Sequence, residues 1–194
     1  FVWASGLGDV SVSGGTLGNI SGTGLTRTAT FTPTPNVASG IANISVLQGA
    51  YTDTAGNFGG AALTPVVAIY TSTATISSVA LSSATGVLNN TLNAGDVIFA
   101  KVVFSEVITL NSAGGSPTLG LLIGATLVQA DYVSGSGGTD FVFSYTILAT
   151  QTDANGISLP SNAITLNGST LKNVLGNNAA LLKDTVPDNA LYTV

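Results

Sequence analysis

Clusters of turn-forming residues cut this chain into short pieces. Ser13-Gly-Gly, Ser21-Gly-Thr-Gly, Thr52-Asp-Thr-Ala-Gly-Asn, Asn111-Ser-Ala-Gly-Gly and Ser134-Gly-Ser-Gly-Gly supply the small and amide-bearing residues that tight turns need. The intervals between them suit strands, and no window holds an amphipathic helix of useful length. Apolar residues alternate within the intervals. In Val10-Ser-Val-Ser, Val10 and Val12 share a face. In Arg27-Thr-Ala-Thr-Phe-Thr, Arg27, Ala29 and Phe31 share one face and threonines the other. In Ile41-Ala-Asn-Ile-Ser-Val, Ile44 and Val46 point inward while Asn43 and Ser45 meet water. Val97-Ile-Phe-Ala-Lys-Val-Val-Phe and Phe141-Val-Phe-Ser-Tyr-Thr-Ile are longer strands of mixed pattern, suited to one buried and one partly covered face. The pattern predicts an all-β, antiparallel sandwich.

What the chain lacks narrows its chemistry. It has no His, Cys or Met. That removes imidazole bases, thiol nucleophiles, disulfides and zinc sites built on His or Cys. The four cations, Arg27, Lys101, Lys172 and Lys183, are too dispersed to track a phosphate backbone, so nucleic acid is not an expected partner. No run nears the roughly 18 apolar residues of a membrane span. A chain that starts at Phe1 without Met reads as a processed protein or a fragment. Charged residues are 7 % of the total, against about 25 % in an ordinary soluble domain. A surface of Thr, Ser, Asn and small apolar groups suits packing against copies of itself, and equally a secreted protein of low nonspecific stickiness.

Two segments align with each other. Gly49-Ala-Tyr-Thr-Asp-Thr-Ala-Gly-Asn matches Gly168-Ser-Thr-Leu-Lys-Asn-Val-Leu-Gly-Asn. Tyr51 pairs with Leu171, Asp53 with Asn173, Gly56 with Gly176 and Asn57 with Asn177. A tandem structural repeat is expected, with units at 1–72 and 73–194. The linker Tyr70-Thr-Ser-Thr-Ala-Thr holds neither Pro nor Gly, so the units should stand end to end.

The same residues carry a family resemblance. Val10-Ser-Val-Ser-Gly-Gly-Thr-Leu, Thr28-Ala-Thr-Phe-Thr-Pro-Thr and Gly49-Ala-Tyr-Thr-Asp-Thr-Ala-Gly-Asn resemble the bacterial immunoglobulin-like repeats of large surface adhesins. Leu92-Asn-Ala-Gly-Asp-Val, Val103-Phe-Ser-Glu-Val, Val128-Gln-Ala-Asp-Tyr-Val-Ser-Gly-Ser-Gly and Gln151-Thr-Asp-Ala-Asn-Gly-Ile resemble a sister repeat. The resemblance implies tandem Ig-like Greek-key sandwiches that act as extenders, with calcium often stiffening the junctions. It also implies that the first unit lacks its N-terminal strands, whose counterparts in the second are near 76–83 and 96–104. Either the chain is a window on a longer repeat protein, or a neighbouring copy donates the strands.

Candidate sites are few. Asp53 and Asn57 put a carboxylate and an amide oxygen on one Gly-containing turn, as calcium ligands or as partners of the turn's own backbone. In sandwich geometry Glu106 and the loop 173–177 should face the linker. The residue equivalent to Asp53 there is the neutral Asn173, and the linker has no acid, so that junction should hold calcium weakly or not at all. Asp53 would face a junction upstream. Asp153, in Gln151-Thr-Asp-Ala-Asn-Gly, resembles half a calcium loop or a plain turn with Gly156 left-handed. Catalytic carboxylate pairs are not expected, because the acids are scattered and Asp131 and Asp140 merely flank a Gly-rich hairpin. Trp3 and Tyr132 could stack on a sugar, but Trp3 near an incomplete sandwich is more often core, and burial of both would dismiss the platform. The sequons at Asn19, Asn43, Asn89 and Asn167 read as chance in a Ser/Thr-rich chain. The expected function is non-enzymatic: an extracellular module of the bacterial cell surface, extending an adhesin or a biofilm matrix. The alternative is a subunit of a filament, sheath or surface layer joined by strand exchange. Its partners are then neighbouring repeats or copies of itself, and possible calcium at junctions is its only expected cofactor.

Overall fold

The computed structural model describes residues 10–194, and every regular element among them is a strand. The chain divides into two compact units, Phe1–Ser72 and Thr73–Val194. Antiparallel sheets build both, in a sandwich-like arrangement.

The first unit centres on one strand. Its elements are β1 (Val10–Ser13), β2 (Gly15–Leu17), β3 (Phe31–Pro33), β4 (Gly40–Val46), β5 (Ala62–Leu63) and β6 (Val67–Ile69). β4 pairs with β1, Val10 opposite Val46 and Val12 opposite Ile44, while β6 and β5 take its other edge in turn. β2 and β3 form a separate hairpin sheet. The alternation in β1 holds, with both valines half-buried and both serines exposed. In β4, Ala42 is buried and Ile41 points out at 60 % exposure, while Asn43, Ile44, Ser45 and Val46 are all half-buried, so Asn43 and Ser45 are more covered than their alternation predicts. Residues 27–32 depart from expectation. Only 31–33 form a strand, and Ala29 is exposed although it lines the same groove as Ile44 and Val46. The groove is uncovered among the described residues, so a correctly aimed side chain still meets water. Ala42 and Ile69 are the buried apolar residues described in this unit.

The second unit has a dense core. Its strands are β7 (Ile76–Thr85), β8 (Val97–Asn111), β9 (Thr118–Ile123), β10 (Thr126–Ser134), β11 (Gly138–Thr146), β12 (Ile164–Thr165) and β13 (Thr170–Asn173). Their order is β12-β9-β10-β11-β8-β13, with β7 also on β8. β8 is the spine. Residues 97–104 pair with β7 on one edge and β11 on the other, and residues 108–111 pair with β13. Its even-numbered residues from Ile98 to Phe104 are buried in strict alternation, the signature of one face against a core. Ile98, Val102, Ile108, Leu119, Leu121, Phe141 and Phe143 are fully buried, each worth about 1.5–3 kcal/mol in transfer from water. Phe104 meets Phe141 edge-on, ring centres 5.3 Å apart at 79°.

The Gly-rich segment at 134–138 makes the β10–β11 hairpin, held by the Ser136 N–H donating to the Tyr132 hydroxyl at 2.8 Å. Tyr132 is half-buried, and its ring packs on Phe141 and Phe143 at 5.5 and 5.9 Å. This corrects the platform reading for Tyr132: its ring belongs to the core. Trp3 lies outside the described residues.

Candidate functional site

The aligned turn segments have the same construction, bond for bond. In the first unit the Asp53 Oδ1 accepts from the Ala55 N–H at 2.8 Å and the Asn57 N–H at 2.9 Å. The Asp53 N–H donates to Asn57 O, and the Gly56 N–H to Asp53 O. In the second unit Asn173 Oδ1 accepts from the Leu175 and Asn177 N–H groups at 3.1 and 3.0 Å. The Asn173 N–H donates to Asn177 O, and the Gly176 N–H to Asn173 O. Gly56 and Gly176 have φ of 87° and 83°, a region that side-chain-bearing residues enter only at a cost. The bridge pairs match too, Thr52 with Phe58 and Lys172 with Asn178. Such a turn needs an oxygen acceptor at its first position and Gly at its fourth, and Asp and Asn serve equally as acceptor.

The second side-chain atom is where the turns part. The Asn173 Nδ2 donates to the Glu106 Oε2 on β8 at 2.9 Å, and Asn173 is only 3 % exposed. The Asp53 Oδ2, at the matching place, accepts from the Asn57 Nδ2 at 2.8 Å, and Asp53 is exposed. The Asn57 side-chain amide, then its N–H, then those of Ala55 and Gly56, hold the Asp53 carboxyl below its ordinary range.

Asp153 serves a different loop. It is 4 % exposed, and its carboxylate accepts from the Gly124 N–H at 2.8 Å and the Gly156 N–H at 2.9 Å. Its backbone exchanges hydrogen bonds with Val194, tying the chain end into the unit. Gly156, at φ 102°, fits the left-handed turn expected from the sequence. The neighbouring Asn155 donates through Nδ2 to the Asp188 carboxylate. That contact and the reach of Asp153 to Gly124 join residues about thirty positions apart, and local motifs carry no signal for them.

The expected ligands therefore form separate groups. Asp53 sits with Asn57, Glu106 with Asn173, and Asp153 with two glycine amides. Among the described residues no three acidic side chains gather. Calcium takes six to eight oxygens. Here the carboxylates of Asp53, Glu106 and Asp153 each accept from N–H groups, in three separate places. Among the described residues none of these groups by itself gathers three acidic side chains. Asp140, across the hairpin, pairs with Lys101 at 3.1 Å on an exposed surface. The Lys101 ammonium first and the Thr139 hydroxyl second lower its carboxyl below the ordinary range.

The second unit's three buried polar side chains all bond backbone groups. Asp153 and Asn173 accept from N–H groups, and the Ser169 hydroxyl donates to Leu166 O. No curated protein and no solved structure matches the chain. Residues 4–71, nearly all of the first unit, match the family model of the bacterial Ig-like domain, the repeat type that the sequence motifs resemble.

Proposed function

We propose that this chain is a structural module of an extracellular bacterial surface protein, an extender that spans distance and bears load. The family match supports the class of module. The observation that carries the mechanical reading is how the second unit anchors its first strand. The Ala180 N–H donates to Ala74 O at 2.8 Å, in a parallel bridge between Thr75 and Ala180. On the other side the Ser105 N–H donates to Thr75 O at 2.9 Å, and the Thr75 N–H to Ser105 Oγ at 2.9 Å. Tension on the two ends drives parallel neighbours in opposite directions along their axes. The bond from Ala180 to Ala74 is then loaded in shear, along the strand axes. Buried polar side chains that bond the protein's own backbone fit a scaffold, where stiffness matters.

Single-molecule pulling on the whole chain tests this. The second unit should release in one step, lengthening by somewhat less than the roughly 440 Å that its 122 residues (194 − 72) span when extended. Gradual yielding at low force, without a discrete step, would refute a load-bearing role.

A further inference from the structure

We infer that residues 193–194 are a force anchor of the second unit: Thr193 clips tension applied at Val194 into the turn at 88–91, and its hydroxyl locks that clip. The inference deepens the mechanical reading above and rests on it.

Pairing direction singles out the place. Every strand ladder among the described residues is antiparallel. Two isolated bridges are parallel, Thr75 with Ala180 and Thr91 with Thr193. Both draw one partner from residues 179–194, a segment without a regular strand of its own. One bridge lies beside Thr73, where the unit starts, and the other beside Val194.

The segment is stitched to the body along its length. The Ala180 N–H donates to Ala74 O, Val186 exchanges two hydrogen bonds with Leu159, and the Ile157 N–H donates to Tyr192 O. None of residues 179–194 is buried, whereas Ala74, Ile157 and Leu159 are at most 1 % exposed. A surface segment tied at several points passes tension inward only past ties that have given way. Tension applied at Val194 therefore meets residues 193–194 before it reaches Ala180.

Six hydrogen bonds converge on these two residues. The Thr193 N–H donates to Asn90 O at 2.8 Å, and the Leu92 N–H donates to Thr193 O at 2.8 Å. The Thr193 hydroxyl donates to Asn90 O at 2.8 Å and lies 3.0 Å from the Thr91 hydroxyl, which is left as the donor of that pair. Val194 exchanges two bonds with the Asp153 backbone, at 2.7 and 2.8 Å. Because the bridge to Thr91 is parallel, pulling Val194 away from Thr73 slides Thr193 along Asn90–Leu92 and strains the bonds that flank it.

The receiving side is stiff. Leu88 and Thr91 exchange both backbone bonds around Asn89 and Asn90, at φ 52° and 65°, the left-handed pair that closes a two-residue hairpin. Leu92 is 1 % exposed. The buried Asp153 carboxylate is fixed by the Gly124 and Gly156 amides. It thereby holds still the loop on which Val194 pulls.

Pulling the full chain from chosen points tests this. The chain has no Cys, so introduced cysteines place the handles. One geometry uses Thr73→Cys with a cysteine appended after Val194. The other uses Thr73→Cys with Leu182→Cys, a position 78 % exposed that feeds tension to Ala180 without passing Thr193. At constant force Thr193→Val should shorten the second unit's lifetime about two- to ten-fold in the first geometry, the worth of one hydrogen bond. In the second geometry the lifetime should not change. Thr193→Ser keeps the hydroxyl and should stay close to the parent in both. Urea denaturation checks that Thr193→Val folds; if it does not, Thr91→Val strips the hydroxyl pair from its other side and should shift the lifetimes the same way. No loss in the first geometry, or an equal loss in both, would overturn the anchor while leaving the mechanical reading intact. A parent chain that yields without a discrete step in either geometry would overturn that reading itself.

Discussion

Converting the second unit's turn into the first unit's turn by Asn173→Asp isolates one atom. The backbone bonds of the turn survive, because Asp53 shows that a carboxylate accepts them equally well. The Nδ2 donor to Glu106, at 2.9 Å, becomes an oxygen in a site 3 % exposed. Losing a hydrogen bond to a charged group costs about 1.5–3 kcal/mol. Two carboxylates that close would repel by roughly 5–6 kcal/mol at an effective dielectric constant of 20. The pair avoids this by keeping one proton. Holding a proton at pH 7 on a carboxyl of ordinary pKa near 4 costs about 4 kcal/mol, and the shared proton restores a hydrogen bond. The expected loss is therefore about 3–4 kcal/mol at pH 7, shrinking to about 1 kcal/mol near pH 4. Urea denaturation at both pH values measures it, with hydrogen exchange at β13 assigning the transition to the second unit. Adding Glu106→Gln to the variant supplies a donor to the carboxylate introduced at position 173 and should recover at least about 2 kcal/mol at pH 7. A loss under about 1 kcal/mol at pH 7, or no recovery in the double variant, would refute the reasoning.

Other perturbations probe separate parts of the molecule. Phe141→Ala empties a fully buried site beside Phe104 and should cost about 3–5 kcal/mol in the same denaturation assay. Asp153→Asn replaces one of two acceptor oxygens by an N–H₂ group that faces a glycine amide. About 1–3 kcal/mol should go, with faster exchange of the Gly124 or Gly156 amide. The Asp53 carboxyl titrates below its ordinary 3.8 in the folded chain. Its stabilising effect on the turn is thus complete above about pH 4 and fades as pH falls through the lowered value. Side-chain carbonyl NMR should show this, and Asn57→Ala should move the titration back up. Millimolar calcium should leave the second unit's denaturation midpoint unchanged, since Glu106 and Asp153 lie in separate groups and no three acids gather among the described residues; a rise abolished by a chelator would contradict this.

Much of this architecture was legible before any coordinates. Turn clusters marked where the chain reverses, and alternation in 10–13 assigned an inward face, while 97–104 read only as a strand of mixed pattern whose even-numbered residues the structure buries. The alignment of Asp53 with Asn173 and Gly56 with Gly176 located the same hydrogen-bonded turn in both units, because such a turn depends on residues within five positions of each other. The face of Ala29 was legible as well, but its exposure was not, since exposure depends on whether another strand lies over it. In the sequence, Tyr132 is only a minor candidate for a platform. Only the approach of Phe141 and Phe143 decides for core.

The calcium candidates show the same division. Oxygen-bearing residues on Gly-containing loops satisfy a local pattern, and a turn and a metal loop share that pattern. Which atoms the oxygens face is settled by distant partners: Gly124 for Asp153, and Asn173 for Glu106, 67 positions away.

Local chemistry in the sequence determined the strands, the turns and the absence of imidazole and thiol chemistry. Backbone preferences and side-chain alternation act over a few residues and can be read in order. Tertiary structure alone decided that β8 is clamped between β11 and β13, and that Asn173 meets an acid while Asp53 lies exposed. Those outcomes depend on which segments, far apart in the chain, come within hydrogen-bonding reach, and no local pattern encodes that distance.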